Sequence, residues 1–134
     1  MNYQPHGCPI RFGLSLFGDK WSLLIIRDLM FKKRCYYGEF LNAGEEISTN
    51  ILADRLARLE RHDVIVKSRD PTHGKKFVYR LSSKGLDLMP VMLAMMDWAE
   101  TYDEHTEVPE DFIDKLRNRP GTLRKEILAG IERP

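Results

Sequence analysis

The sequence predicts a mainly helical α+β domain with a single two-stranded β-hairpin. Most apolar residues recur at helical spacing, whereas two short runs of β-branched and aromatic residues flank a segment dense in turn residues. The 134 residues suit one domain. A composition of 43% hydrophobic and 31% charged residues is the balance of a soluble folded protein.

The first two helices are predicted at residues 9–17 and 20–31. Apolar residues at helical spacing define the first helix, with Pro9 suited to its first turn and Gly18 to its end. Asp19 is the expected N-cap of the second helix. Because this second helix is apolar on most sides, we expect it in the core.

A short third helix is expected at residues 36–41, and Ser48 is the expected N-cap of a fourth helix. In the fourth helix the apolar residues form one stripe, and polar and cationic residues fall largely outside it. The runs 64–66 and 77–81 predict two strands. They are joined by a turn-rich segment, so the hairpin should have a basic tip at Lys75 and Lys76.

The longest helix is predicted at residues 84–102, with a bend at Pro90. Its apolar residues cover two sides, and such a helix near the end of a small domain usually buries its second side against another chain. Beyond it, apolar residues predict two further short helices, around residues 112–116 and 123–131.

Charge is distributed unevenly along the chain, although the net charge is only +1. Residues 1–83 carry 14 Lys and Arg against 9 Asp and Glu, a net of +5, and residues 84–134 carry 7 against 11, a net of −4. The first part is therefore where a polyanion would bind. The alternative is an accidental asymmetry of solvated faces.

Several classes of protein and site are not expected. No apolar stretch approaches the roughly 20 residues of a membrane helix, and the N-terminus lacks the pattern of a secretory signal. The two cysteines fit reduced thiols in a cytoplasm. No catalytic constellation, no zinc-site spacing around His6 and Cys8 and no phosphate-binding glycine loop is present, so we expect no enzyme, no cofactor and no metal site.

The order of the predicted elements matches a winged helix-turn-helix that binds DNA. The capped helix that begins at Ser48 would enter the major groove with its N-terminus first, because that groove admits one helix. The hairpin would act as the wing and reach flanking phosphates or the minor groove.

The chain resembles the HxlR-type regulators of the MarR-like winged-helix superfamily. The motifs that carry the resemblance are, in chain order, Cys8-Pro9, residues 18–29, 37–41 and 47–52, Arg55-Leu56, Leu59-Glu60, residues 79–85, Pro90-Val91 and Trp98. The resemblance covers residues 8–103. It implies a bacterial, cytoplasmic homodimer that binds operator DNA and dimerises through the N-terminal and the long C-terminal helices. Residues 104–134 are treated as a C-terminal helical extension.

The candidate contacts to double-stranded DNA lie on the fourth helix and on the wing. They are Ser48, Thr49, Asn50, Asp54, Arg55 and Arg58 on the helix and Arg69, His73, Lys75 and Lys76 on the wing. Arg55 is the strongest candidate, and its alternative is an ion pair with a carboxylate such as Asp54, Glu39 or Glu60. The alternatives for Ser48 and for the wing are a purely capping hydroxyl and a solvated hairpin tip.

The candidate dimer contacts are Phe12, Leu88, Met92, Met95 and Trp98. Only the resemblance places Phe12 there, and a core position is its alternative. The methionine stripe of the long helix indicates core or interface. Because methionine adapts to irregular cavities, the stripe also allows a pocket for an unidentified small-molecule effector.

Cys8 is the redox-sensing candidate. It lies at the expected start of the first helix, and a helix N-terminus favours the reactive thiolate. Some members of the family that this chain resembles sense oxidants or electrophiles through a cysteine in this Cys-Pro position. The alternative is a structural cysteine in the dimer contact.

These observations predict a homodimeric, sequence-specific DNA-binding transcriptional regulator of a pseudo-palindromic operator, with repression favoured by the resemblance. The competing function is a winged-helix adaptor that binds proteins without specific DNA binding. The feature that discriminates the two functions is whether Arg55, Arg58 and the Lys75–Lys76 pair form one continuous positive face across the dimer. Carboxylates that neutralise this face would favour the adaptor.

Overall fold

The computed structural model describes residues 7–131. Residues 1–6, which include His6 and most of the N-terminal segment that was considered for a secretory signal, lie outside the described residues. In chain order the elements are α1 (Pro9–Phe17), α2 (Ser22–Phe31), α3 (Tyr37–Leu41), α4 (Thr49–Arg61), β1 (Ile65–Arg69), β2 (Phe77–Leu81), α5 (Ser83–Leu86), α6 (Met89–Tyr102), α7 (Glu110–Asn118) and α8 (Pro120–Gly130).

The core lies where α2, α4, the hairpin and α6 meet. Ile26 of α2 and Leu52 of α4 are fully buried, and Ile65 of β1 and Met89 of α6 close the same cluster. Helix α2 contributes buried residues along its whole length, which confirms the prediction of a core helix. The apolar stripe of α4 faces this core, so the polar side of α4 is left for other contacts.

The hairpin confirms the winged-helix class that the sequence predicts. β1 and β2 pair antiparallel, from Ile65 opposite Leu81 to Arg69 opposite Phe77. β1 is longer than the predicted run 64–66, since polar residues continue the ladder where the β-branched run has ended. A rigid two-stranded wing therefore follows α4 directly.

The helix predicted at residues 84–102 is divided in the structure, so the predicted bend at Pro90 is wrong. α5 ends at Leu86, and α6 begins at Met89 with Pro90 in its first turn. Proline has no N–H to donate and its ring collides with the carbonyl four residues earlier, so the chain starts a new helix there.

The C-terminal residues form the two predicted short helices, and both pack on the domain. Leu123 of α8 is 3% exposed, and Ile127 and Leu128 contact the core cluster. Phe112 of α7 meets Phe31 of α2 edge to face, with ring centroids 6.2 Å apart. Helices α7 and α8 thus form an outer layer of the same core.

Three kinds of feature are absent from residues 7–131. No helix in this part combines the length and apolarity needed to cross a membrane. No group of three His, Cys, Asp or Glu side chains within it is placed to hold a metal ion. Cys8 and Cys35 are not joined by a disulfide.

Candidate nucleic-acid interface

The first turn of α4 is capped, ordered and open to solvent. The Ser48 hydroxyl accepts a hydrogen bond of 3.2 Å from the backbone N–H of Ile51, which confirms the predicted cap. Thr49 and Asn50 are exposed. The Tyr37 hydroxyl of α3 donates to the backbone carbonyl of Thr49 at 3.1 Å, so α3 holds the start of α4 in place.

Arg55 is engaged by two carboxylates of its own chain. Its Nε donates to Asp19 at 2.9 Å, and its Nη1 donates to Asp54. The ion pair with Asp54 is the alternative that the sequence analysis gave for Arg55. The contact with Asp19, which lies 36 residues earlier in the chain, was not predicted, since Asp19 was expected only to cap α2. The hydrogen bond to Asp19 raises the pKa of Arg55, so the guanidinium stays charged and held.

Asp19 is the acceptor at the centre of this cluster. Its Oδ2 accepts from the backbone N–H groups of Trp21 and Ser22 at 3.0 and 3.1 Å. Asp19 thus satisfies the N–H groups at the start of α2, but the N-cap position is Trp21, because α2 begins at Ser22 and not at Lys20 as the sequence predicts. Burial raises the pKa of Asp19, but hydrogen bonds from Ser22, Arg55 and the two backbone groups outweigh burial and lower it to about 2. Asp19 is therefore ionised at any physiological pH.

Arg58 is also turned toward the protein. Its Nη2 donates to the backbone carbonyls of Ser15 and Leu16 at 3.0 and 3.2 Å, at the C-terminal end of α1. Its Nη1 lies 3.9 Å from Asp19. The carbonyl end of a helix attracts cations, so Arg58 fastens α4 to α1. The sequence named Arg58 as a candidate DNA contact and did not indicate this contact to α1.

The wing presents exposed cations at its tip. Lys75 and Lys76 are exposed, and the Lys76 ammonium lies 5.4 Å from the ring centroid of Tyr36. Arg69 is exposed, but its guanidinium donates to the backbone carbonyl of Gly74 at 2.7 Å, which orders the turn. His73 is exposed in the same turn. The tip is therefore basic and structured.

A buried carboxylate joins the wing to α3. Asp70, 4% exposed, accepts from the Tyr36 hydroxyl and from the backbone N–H and hydroxyl of Thr72, the latter two at 2.8 Å. The hydrogen bond from Tyr36 holds the pKa of Asp70 well below its usual range, and the same bond raises the pKa of Tyr36 to about 12. The sequence showed Asp70 only as a turn residue.

Arg55 and Arg58 therefore do not contribute fully to the positive face that discriminates the two functions. Arg55 is neutralised by Asp54 and Asp19, and Arg58 is held by backbone carbonyls. Of the four residues of this face, Lys75 and Lys76 are the exposed ones. The pairing of Arg55 with two carboxylates favours the protein-binding adaptor. The ordered basic wing favours DNA binding.

Apolar side chains form a solvent-facing surface on α1 and α6. Phe12 of α1 is 47% exposed, and Met95 and Trp98 of α6 are 52% and 67% exposed. Ile10, Leu14, Val91 and Tyr102 are also exposed on these two helices, and we call the exposed apolar residues of α1 and α6 together the α1–α6 apolar surface. Phe12 therefore does not lie in the core, which was its alternative position in the sequence analysis.

Two of the predicted dimer contacts lie elsewhere. Met92 is only 7% exposed and belongs to the core cluster of its own chain. Leu88 is half-buried against the same core. Met92 is therefore unavailable as a contact to another chain, and Leu88 is only partly available.

A mainly apolar groove of about 540 Å³ runs between α2, α6 and the segment before α7. Met92, Met95 and Met96 line it together with Phe31 and Phe112. This volume lies in the range of small-molecule sites, and the methionines occur where the sequence allowed an effector pocket. The presence of an effector stays a prediction.

Cys8 occupies the N-cap position of α1, directly before Pro9, and is exposed. Cys35 lies half-buried between α2 and α3. The accessible thiol is therefore the one at the helix N-terminus, as the sensing hypothesis requires.

Comparison with protein families matches residues 16–107 to the HxlR-like helix-turn-helix model. The chain belongs to the HxlR-like helix-turn-helix family. The matched region contains α2, α3, α4, the wing and α6, so the family covers the whole of the candidate interface. Residues beyond 107, including α7 and α8, lie outside the matched region.

Similar proteins are helix-turn-helix transcriptional regulators. One from Synechocystis is 36% identical over 99 residues, covering 71% of this chain and 73% of the relative. YodB of Bacillus subtilis is 33% identical over 98 residues, covering 72% of this chain and 87% of YodB.

Solved structures of two regulators share the fold. Reduced YodB matches with a TM-score of 0.61 at 31% identity, covering 75% of this chain and 98% of YodB. The oxidised form of the redox regulator HypR matches with a TM-score of 0.63 at 25% identity, covering 75% of this chain and 100% of HypR. The chain is thus a helix-turn-helix transcriptional regulator of the MarR-like winged-helix type and not an enzyme, as the sequence predicts.

Proposed function

We propose that the protein is a homodimer that binds a pseudo-palindromic operator and represses transcription from it. One observation carries this proposal: the exposed first turn of α4 stands next to an ordered basic wing, in a chain of the HxlR-like family. A capped helix with free polar side chains at its N-terminus has the form of a recognition helix.

Base recognition is assigned to the first turn of α4. Thr49 and Asn50 are exposed beside the Ser48 cap, and an asparagine can bind adenine through two hydrogen bonds. Lys75 and Lys76, with Arg69 and His73 behind them, are assigned to phosphates, which position the protein without reading sequence. Arg55 and Arg58 act mainly by holding α4, and Asp54 limits the charge that Arg55 presents.

Dimerisation is assigned to the α1–α6 apolar surface. Large exposed apolar residues gathered on two helices are typical of a protein interface, and Phe12, Met95 and Trp98 supply aromatic and flexible contact residues. A two-fold dimer would present two copies of α4. Its half-sites should lie about one helical turn of DNA, roughly 34–36 Å, or a multiple of it apart.

The test is selection from random duplex DNA with the purified protein, at low and at near-physiological salt. Enrichment of a two-fold symmetric motif that survives the higher salt supports the proposal. Binding that disappears at the higher salt with no motif leaves only the phosphate contribution and favours the adaptor. Repression is then tested with a reporter behind the selected site, where activation would contradict that part.

A second proposal concerns Cys8, which we propose as a sensor of oxidants or electrophiles. Its support is the exposed thiol at the N-terminus of α1, a helix of the proposed dimer surface, and the similarity to YodB and HypR. HypR is a redox regulator, and one YodB structure is quinone-bound. A modified Cys8 would add bulk and polarity at that surface.

DNA binding of three proteins after oxidant or quinone treatment tests this proposal. The wild type should lose affinity, Cys8→Ser should not, and Cys35→Ser should respond like the wild type. An unchanged response of Cys8→Ser would disprove sensing by this cysteine.

A further inference from the structure

We infer that Asp19 is a positioning residue that sets the spacing between the two recognition helices of the dimer. This inference rests on the proposed function, because it requires a dimer whose two copies of α4 bind one DNA site. Its basis is that one carboxylate, between α1 and α2, holds both arginines of α4 that face away from solvent.

The two oxygens of Asp19 serve different elements at the same time. Oδ2 accepts from the first N–H groups of α2 and from Arg55 Nε of α4, all at 2.9–3.1 Å. Oδ1 accepts from the Ser22 hydroxyl at 2.7 Å and lies 3.9 Å from Arg58 Nη1. The side chains of Asp19 and Arg55 are only 18% and 23% exposed, so water competes little for these contacts.

Arg58 extends the same connection to α1. It donates to the carbonyls of Ser15 and Leu16, where α1 ends. Gly18 makes this end compact: a Cβ there would stand 2.5 Å from the carbonyl oxygen of Leu14, so only glycine fits. Arg58 and Asp19 therefore hold the corner between α1 and α2 against one side of α4.

This geometry links the proposed dimer contact to the recognition helix by a short path. Phe12 lies on the α1–α6 apolar surface, and Ser15 lies one turn further along α1. From Ser15 the path crosses to α4 through the guanidinium of Arg58. The tilt of α4 relative to the dimer axis is thus set at the Asp19 cluster, and this tilt determines the half-site spacing.

The experiment is selection from a DNA library in which the wild-type half-site is repeated with every spacer length. Asp19→Asn keeps a capping oxygen for α2 but loses the charge that holds Arg55 and Arg58. Asp54→Asn is the matched control, because it removes the exposed partner of Arg55 and leaves Asp19 intact. Arg55→Met is a second variant, for use if Asp19→Asn does not fold.

Asp19→Asn and Arg55→Met should lose several-fold of their preference for the wild-type spacer, with the base preference within each half-site unchanged. Asp54→Asn should keep the wild-type spacer preference. A variant that is less stable but selects the same spacer overturns the inference and leaves Asp19 a purely structural residue. A wild type that selects no half-site at all overturns the proposed function instead.

Discussion

At the scale of single residues, a carboxylate decides what two arginines can do. Arg55 and Arg58 stand on the polar side of α4, where the sequence predicts contacts to DNA. Asp19 and the end of α1 turn both arginines toward the protein. The proposed recognition surface therefore consists of the short polar side chains of the first turn of α4, and the two arginines would orient it.

The depressed pKa of Asp19 predicts a loss of stability in acid. Its pKa is 3.8 for the free side chain and about 2 in the folded protein, so its stabilising contribution is complete above pH 3.8 and is lost as the pH falls through 2. After allowance for solvent screening this contribution is about 1–2 kcal/mol. Urea unfolding at pH 6 and pH 2.5 should show a smaller decrease for Asp19→Asn than for the wild type.

The control for this measurement is Asp54→Asn, whose carboxylate is mostly exposed. Its decrease in unfolding free energy between the two pH values should match that of the wild type. Equal decreases for Asp19→Asn and the wild type would show that Asp19 does not contribute through its charge.

Helix caps were predictable from the sequence, whereas hydrogen bonds and ion pairs between distant residues were not. Ser48 and Asp19 were recognised as caps, because a cap is defined by residues within four positions of it. The bond between Asp19 and Arg55 joins residues 36 positions apart, and no local pattern encodes it. The same holds for Asp70, whose partner Tyr36 lies 34 positions earlier.

At the scale of elements, the wing is held at its base rather than left as a mobile hairpin. Asp70 bonds Tyr36 and Thr72 just after β1, and Arg69 closes the turn onto Gly74. The tip cations thus extend from a fixed base, which lowers the entropy cost of placing them against phosphates.

Removal of one tip cation should weaken DNA binding equally for all sequences. If Lys76 contacts one phosphate, Lys76→Ala lowers the slope of log affinity against log salt by about one. Fluorescence anisotropy over a series of salt concentrations measures this slope. Lys125→Ala, which removes an exposed cation of α8, is the control and should leave the slope unchanged. Equal slopes for Lys76→Ala and the wild type would exclude the phosphate contact.

Element types were predictable from the sequence, and one boundary was not. Helical spacing, caps and the β-branched run predicted the helices and strands in the correct order, except that α5 and α6 were predicted as one helix. The break before Met89 was missed because the pattern of apolar residues continues across it. The spacing of apolar residues indicates which side of a helix is buried. It does not show where Pro90 interrupts the backbone hydrogen bonds of a helix.

At the scale of the whole molecule, the α1–α6 apolar surface is the proposed contact between two copies of the chain. Trp98→Glu should convert the dimer to a monomer, because a carboxylate would be buried in an apolar contact. Its dimer dissociation constant should rise by at least about tenfold in sedimentation equilibrium. Val66→Glu, on exposed strand β1, should leave the mass unchanged. A dimeric Trp98→Glu protein would place the interface elsewhere.

The C-terminal helices should contribute to global stability. Leu123 is 3% exposed among core residues, so Leu123→Ala should lower the free energy of unfolding by about 2–4 kcal/mol. Thr122→Ala, one residue earlier and exposed, should change it by less than about 0.5 kcal/mol. Chemical denaturation of both variants gives the comparison, and similar values for the two would mean that α8 unfolds separately.

The packing of α8 also determines which piece of the chain is autonomous. The family match ends at residue 107, but the layer that seals the core continues to Ile131. A fragment cut at the homology boundary would leave apolar surface open to water, and such fragments associate or are degraded. In hydrogen exchange the amides of α8 should open together with those of α2, as one cooperative unit. Any minimal DNA-binding fragment of this protein must therefore keep its last two helices.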